Sequence, residues 1–122
     1  MPLAKDTGLP TQSLQSLSRT YTGVAPAIAG QIIGWVGNLA TATIMGVLLD
    51  DAVQNQTVSV GMAGLHECIS GSGIGVGSPI GVDGFGRGVP VAAGFHTIGR
   101  AMTATTNANQ KFQMYITREG TN

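Results

Sequence analysis

Apolar and polar residues alternate with a period of two along most of this chain, as they do in strands that have one buried face. No stretch keeps the 3.6-residue period of a helix over several turns. The pattern therefore predicts an all-β chain of many short strands separated by turns. The alternating runs lie at residues 24–36, 57–62, 65–70, 89–95, 98–102 and 112–116.

One further segment, from Thr43 to Leu49, is apolar on both faces, and this predicts a strand that is buried on both sides. Residues 50–55 follow it and have the composition of a turn. Short strands with turns every 8–12 residues are typical of a β-barrel or a β-sandwich. We therefore expect residues 21–122 to form one all-β domain, either a β-barrel or a β-sandwich.

Residues 71–82 alternate in an unusual way, because glycine occupies odd positions and apolar residues occupy even ones. If this segment is extended, one face is apolar and the other is bare backbone. Glycine weakens a strand, so a bare face usually marks the close approach of another backbone. We expect a contact between subunits at four of these glycines, Gly71, Gly73, Gly75 and Gly77.

Residues 1–20 differ from the rest and are predicted to form an extended N-terminal arm. Pro2, Gly8 and Pro10 disfavour both a helix and a central strand there. The arm is either a mobile tail or a segment that becomes ordered on a partner. In the second case the contacts would come from its apolar residues and its basic end, namely Leu3, Leu9, Leu14, Leu17 and Arg19.

Composition favours a subunit of an assembly. The chain has 122 residues, enough for one domain, and only 10% of them are charged, against about 25% in ordinary soluble domains. Six basic residues balance six acidic ones, which argues against a nucleic-acid partner that would need a basic excess. Surfaces with little charge favour association.

A membrane span is disfavoured although no charge occurs between Arg19 and Asp50. The stretch contains several glycines and a proline, and no cluster of Lys or Arg flanks it. The single cysteine, Cys68, excludes a disulfide within the chain. We therefore expect neither a membrane partner nor a disulfide framework.

Candidate chemistry is sparse. His66, Glu67, Cys68 and His96 are potential metal ligands, but their spacing matches no common zinc motif. On a strand, His66 and Cys68 share a face while Glu67 points away. The glycines at 71–77 lack the third glycine of a dinucleotide loop and the Lys-Ser/Thr of a P-loop. We expect no enzyme activity, no cofactor and no metal.

The order of several segments between Gln31 and Ile116 resembles the capsid cement, or head decoration, proteins of tailed bacteriophages. Each segment alone is a weak signal, and the similarity lies in their succession. The segments are residues 44–52, 56–60, 64–69, 74–83, 86–87, 98–104 and 112–116.

This resemblance implies a small β-barrel or β-tulip subunit that is commonly a homotrimer. Its partners would be other copies of itself and the phage major capsid protein. It would lie on the capsid exterior of the virion after assembly in the host cytoplasm, and would clamp neighbouring capsid subunits. We expect the arm to lie along a neighbouring capsid chain.

Other interpretations remain open. The chain could be a different self-assembling virion part, such as a tail, spike or lattice subunit. It could also be a β-barrel that binds a small ligand, which would require polar groups converging in an apolar cavity.

Overall fold

The computed structural model describes residues 16–34, 37, 44–91 and 95–121. No helix forms in these ranges, and none of the described segments is a helix able to cross a membrane. The all-β prediction is therefore confirmed. The described ranges contain nine strands: β1 Ser16–Thr20, β2 Ile32–Gly34, β3 Ile44–Leu48, β4 Thr57–Gly61, β5 Gly64–Ile69, β6 Pro79–Val82, β7 Gly88–Pro90, β8 His96–Ala101 and β9 Lys111–Thr121.

The strands form two antiparallel sheets. The first has the order β1-β4-β3-β2 and the second the order β5-β9-β8-β6-β7. No ladder joins an edge strand of one sheet to an edge strand of the other among the described residues. The expected β-barrel or β-tulip is therefore not confirmed. Single backbone hydrogen bonds connect the edge regions of the two sheets: the amide of Ile69 donates to the carbonyl of Gly30 at 3.0 Å, and that of Ile32 to Gly86 at 2.6 Å.

The long strand β9 shows most clearly why the second sheet forms. Phe112, Met114 and Ile116 point inward and are buried, while the residues between them are exposed. On the neighbouring strand, Cys68 pairs with Phe112 and His66 with Met114. The alternation predicted for residues 112–116 is confirmed.

Strand β3 is buried on both sides, as its sequence predicts. Val47 belongs to the core between the two sheets, which also contains Ile32, Phe112 and Met114. A second cluster includes Met45 and Leu48 from β3. Its other members are Tyr21, Ala27, Ile33, Ala52, Val58 and Val60.

Two of the alternating runs form less strand than their pattern predicts. In the described part of the run at 24–36, residues 24–34, the only strand is β2, because a turn precedes it. The amide of Gln31 donates to the carbonyl of Ile28 at 3.2 Å, and Gly30 has a φ of +98°. In the run at 89–95, the strand ends at Pro90, and residues 92–94 lie outside the described ranges. A period of two allows a strand, but the turn geometry decides where it begins.

A bulge in β9 directs Arg118 toward the first sheet. Thr97 pairs with Gly120 and Gly99 with Ile116, so three residues of β9 lie opposite one residue of β8. Arg118 lies in this bulge with a φ of +51°. Bulges commonly re-aim a side chain in this way.

The Arg118 guanidinium then connects the two sheets. Its Nη2 donates to the carbonyl oxygens of Met45 on β3 and of Met62, just after β4. Burial lowers the pKa of Arg118 from its ordinary value. One side chain of the second sheet therefore bonds backbone groups of two neighbouring segments of the first.

Candidate docking surface

Strand β1 is held by backbone pairing, with little contribution from its side chains. It pairs with β4 along its whole length, from Ser16 opposite Gly61 to Thr20 opposite Thr57. Opposite residues share a face, so Leu17 lies beside the buried Val60. Every residue of β1 is nevertheless exposed, and Leu17 is 37% exposed.

This strand forms the last five residues of the predicted arm. Leu17 and Arg19 lie on one face of it, two residues apart. Leu3, Leu9 and Leu14 lie outside the described residues, so the role predicted for them stays a prediction. The sequence did not indicate β1 because the strand has no buried face. Its residues therefore do not alternate between apolar and polar, and Leu17 is its one apolar residue.

The edge of β1 has the properties of a docking edge. Among the described strands it pairs with β4 alone. It contains no proline, and Arg19 is its only charged residue, so little protects it from pairing with another strand. Extended segments commonly bind such an edge by adding a strand.

The predicted glycine face has a different structure from the one expected. Residues 71–78 form bends, a turn and one isolated bridge between Ile74 and Thr105, and the strand begins only at Pro79. The extended conformation predicted for this segment is wrong as far as Ser78. The reason is the turn in which Ser78 donates to the carbonyl of Gly75 and Gly77 has a φ of +84°.

The four glycines have different surroundings. A Cβ on Gly71 would lie 2.6 Å from Oδ2 of Asp83 and 2.7 Å from a methyl group of Val89. A Cβ on Gly73 would lie 3.1 Å from the carbonyl oxygen of Thr106. Contacts within the chain therefore explain why these two positions are small.

Gly75 and Gly77 are exposed and have room for a side chain. A Cβ on Gly75 would meet only Oγ of Ser78, at 3.4 Å, and one on Gly77 would meet nothing within 4 Å. A contact between subunits at these two positions stays a prediction.

The candidate metal ligands do not come together. As predicted, His66 and Cys68 face inward from β5 while Glu67 is exposed, and His96 lies exposed at the start of β8. In the part of the chain that the structure describes, no three His, Cys, Asp or Glu residues are grouped to hold a metal ion. His66 instead places its ring over Gly61 and its Nε2 2.7 Å from the carbonyl oxygen of Ala63.

Cys68 is buried and unreactive. Burial, with a smaller effect from the charge of Glu67, raises the pKa of its thiol to about 12. The thiolate is the form of cysteine that attacks substrates and binds metals. Because Cys68 stays protonated near neutral pH, it is suited neither to nucleophilic attack nor to metal binding.

An apolar pocket beside β6 and β7 is small. Its volume is about 130 Å³, whereas pockets for small molecules usually measure about 300–1,000 Å³. A ligand-binding function therefore gains no support from it. The pocket is lined by Gly81, Val82, Val89, Pro90, Val91 and Phe95.

Comparison with known proteins gives a similarity of fold. No family model matches this chain, and no curated protein sequence matches it. Among solved structures, the chain is similar to the N base of the head fiber protein gp8.5 of bacteriophage phi29. The TM-score is 0.65 at 18% sequence identity, and the alignment covers 88% of this chain and 98% of the fiber base. The chain thus has the fold of a domain found in a phage head fiber.

Proposed function

We propose that this chain is a structural protein of a phage virion that decorates the outer surface of the head. The observation that supports this most is the similarity of its fold to the base of a phage head fiber, over nearly the whole length of that base. The resemblance of segments 31–116 to capsid cement proteins supports the same conclusion from the sequence.

The contact with the head is made by β1 and the arm before it. The exposed edge of β1 offers backbone donors and acceptors to an extended segment of the major capsid protein. Leu17 and Arg19 lie on one face of that edge and contact the capsid surface. Residues 1–15 continue along a neighbouring capsid chain, where Leu3, Leu9 and Leu14 become buried.

The mechanism is one of linkage and requires no bond to be made or broken. A protein that binds the expanded shell and not its unexpanded precursor stabilises the expanded shell by mass action. The subunit binds as a homotrimer, so that three arms act together and the effective concentration of each remains high.

Co-sedimentation of the purified chain with expanded and unexpanded heads of its own phage tests this proposal. We expect saturable binding to expanded heads, with a mass of three chains at each site, and little binding to unexpanded heads. Heads that carry the protein should also release their DNA at a higher temperature. Equal binding to both forms, or no binding, would contradict the proposal.

The structural neighbour favours a second candidate, in which the chain is the base of a fiber or spike on the head. The solved structure is that of a fiber base. Electron microscopy of virions labelled with an antibody against this chain distinguishes the two. Label distributed over a smooth surface indicates decoration, and label at the foot of projecting fibers indicates a base.

A further inference from the structure

One end of the first sheet carries a rigid, exposed apolar surface, which we name the ridge and define as Val24, Ile28, Asp51 and Val53. Val24 is 86% exposed, Ile28 52% and Val53 55%. Ala27 and Ala52, beside these residues, are buried and exchange two backbone hydrogen bonds of 2.9 Å. The ridge is thus held by its own backbone while its apolar side chains face outward.

The loop that carries Val24 is fixed as well. The hydroxyl of Tyr21, a buried residue, donates to the carbonyl of Ala25 at 2.7 Å. An exposed apolar surface on a fixed backbone loses little entropy when it binds, so it is suited to docking.

The ridge is also acidic. Oδ1 of Asp51 accepts a hydrogen bond from the amide of Ala29 at 2.9 Å, and Oδ2 of Asp50 accepts one from Ser59 at 3.1 Å. Segments 21–34 and 44–56 contain no Lys or Arg. Neither carboxylate forms an ion pair with any residue that the structure describes.

The opposite end of β3, where the two sheets meet, has a different character, and we name it the corner, defined as Met62 after β4, Leu65 on β5 and Arg118 on β9. Arg118 uses only Nη2 in its two bonds to carbonyl oxygens, so Nε and Nη1 have no partner in the described part of the chain. No carboxylate there pairs with this guanidinium. Leu65 is 50% exposed.

The ridge and the corner lie at opposite ends of β3. Arg118 bonds Met45 near the start of this strand, and Asp51 follows three residues after its last residue, Leu48. Among the described residues, no ion pair joins Asp51 to Arg118 within one copy.

We propose that the ridge of one copy docks against the corner of the next, with Asp51 pairing with Arg118, so that copies of this chain associate head to tail. This deepens the proposed function, since it rests on the self-association included there and names its surfaces. Charge complementarity favours a second copy as the occupant, because each end supplies the charge that the other lacks. Each end also has exposed apolar surface, which at the corner comes from Leu65. A contact between two different surfaces closes into a ring when its rotation permits.

Charge exchange tests the pairing, with the association constant measured by sedimentation equilibrium. Asp51→Arg alone and Arg118→Glu alone each place like charges together, and we expect either to weaken association by about tenfold or more. The double variant restores opposite charges and should recover most of the loss. Ala108→Arg, at an exposed position of the loop between β8 and β9, is the matched control and should have no effect.

Arg118→Glu also removes the bonds to Met45 and Met62, so a second pair of variants leaves the fold intact. Val24→Glu changes a residue that is 86% exposed, and Val76→Glu changes one that is 69% exposed in the turn at Gly75–Ser78. The contact predicted at Gly75 and Gly77 is the alternative to this one, so we expect Val24→Glu to abolish association and Val76→Glu to leave it unchanged. The reverse result would place the contact at the glycine turn and overturn the proposal, as would a wild-type chain that stays monomeric at all concentrations.

The same variants separate this inference from the proposed function. If Val24→Glu is monomeric yet still co-sediments weakly with expanded heads, head binding stands and the ridge is a contact between copies. If Val24→Glu associates normally but fails to bind heads, the ridge contacts the capsid and the head-to-tail contact is wrong.

Discussion

Strands β1 and β9 are both regular and antiparallel, but different forces hold them. β9 lies inside its sheet between β5 and β8 and buries Phe112, Met114 and Ile116. β1 lies at the edge of the other sheet and buries none of its five residues. Since hydrophobic burial supplies most of the stability of a fold, β9 is required for folding and β1 is left available for docking.

The largest expected effect comes from removing a side chain of β9. Phe112 is buried and its ring fills the space above Gly88, where a Cβ would lie 2.7 Å from Cζ. We expect Phe112→Ala to lower the free energy of unfolding by about 3–5 kcal/mol, measured by urea denaturation. Tyr115→Ala, an exposed position on the same strand, is the control, and an equal loss there would show that burial does not distinguish the two positions.

A close approach of backbones beside β9 should give the next effect. A Cβ on Gly99 would overlap the carbonyl oxygen of Tyr115 and lie 2.9 Å from Cγ of Met114. We expect Gly99→Ala to lower the free energy of unfolding by about 1–3 kcal/mol or more, because the backbone cannot move aside.

Gly75→Ala is the matched control, since its Cβ has room, and it should change the free energy of unfolding little. If Gly75→Ala lowers the association constant without changing the thermal unfolding temperature, the predicted contact at this glycine gains support.

Arg118→Met removes a polar contact between the two sheets. The variant keeps much of the apolar stem and leaves the carbonyls of Met45 and Met62 without their donor. We expect a loss of about 1–3 kcal/mol in unfolding free energy. The exposed Arg100→Met should lose less, and the opposite order would contradict the role of Arg118 in joining the sheets.

The smallest effect concerns pH. Hydrogen bonds from Arg100 and then Thr117 lower the pKa of Glu119 to about 2 in the folded chain, below its ordinary value of 4.5. Because the folded pKa is the lower one, this stabilisation is complete above about pH 4.5 and is lost as pH falls toward 2.

Stability curves between pH 2 and 6 test this effect. The free energy of unfolding of the wild-type chain should fall between pH 4.5 and 2, and we expect a smaller fall over this range in Glu119→Gln. An NMR titration that finds an ordinary pKa for Glu119 would contradict it.

The sequence predicted those parts of the fold that depend on burial. The alternation at Phe112, Met114 and Ile116 and the double burial of β3 are both recorded in the order of apolar residues. The division into two sheets was not predictable from that order. It depends on which strands pair with each other across long stretches of sequence, and so on which strand edges stay unpaired. The turn before β2 was missed for a related reason: a period of two continues through Gly30, whose backbone leaves the strand conformation.

The candidate surfaces were only partly predictable. The contact role of Leu17 and Arg19 was expected from the character of the arm and stays a prediction, whereas the strand that carries them was not predicted. Arg118 was missed because its role depends on the register between β8 and β9, and no single stretch of sequence encodes a register. The one sequence feature that could have indicated this role is the position of Arg118, just beyond the regular alternation of residues 112–116.

Two truncations test the central claim, that the fold resides after Thr20 while head binding resides in β1 and the arm. Deleting residues 1–15 keeps β1, and deleting residues 1–20 removes it. The measurement is the affinity of each variant for expanded heads, with urea unfolding of the same samples. We predict that both variants unfold cooperatively, that the shorter deletion weakens binding, and that the longer one abolishes it. Full affinity after deletion of residues 1–20, or a chain that no longer folds, would contradict the account.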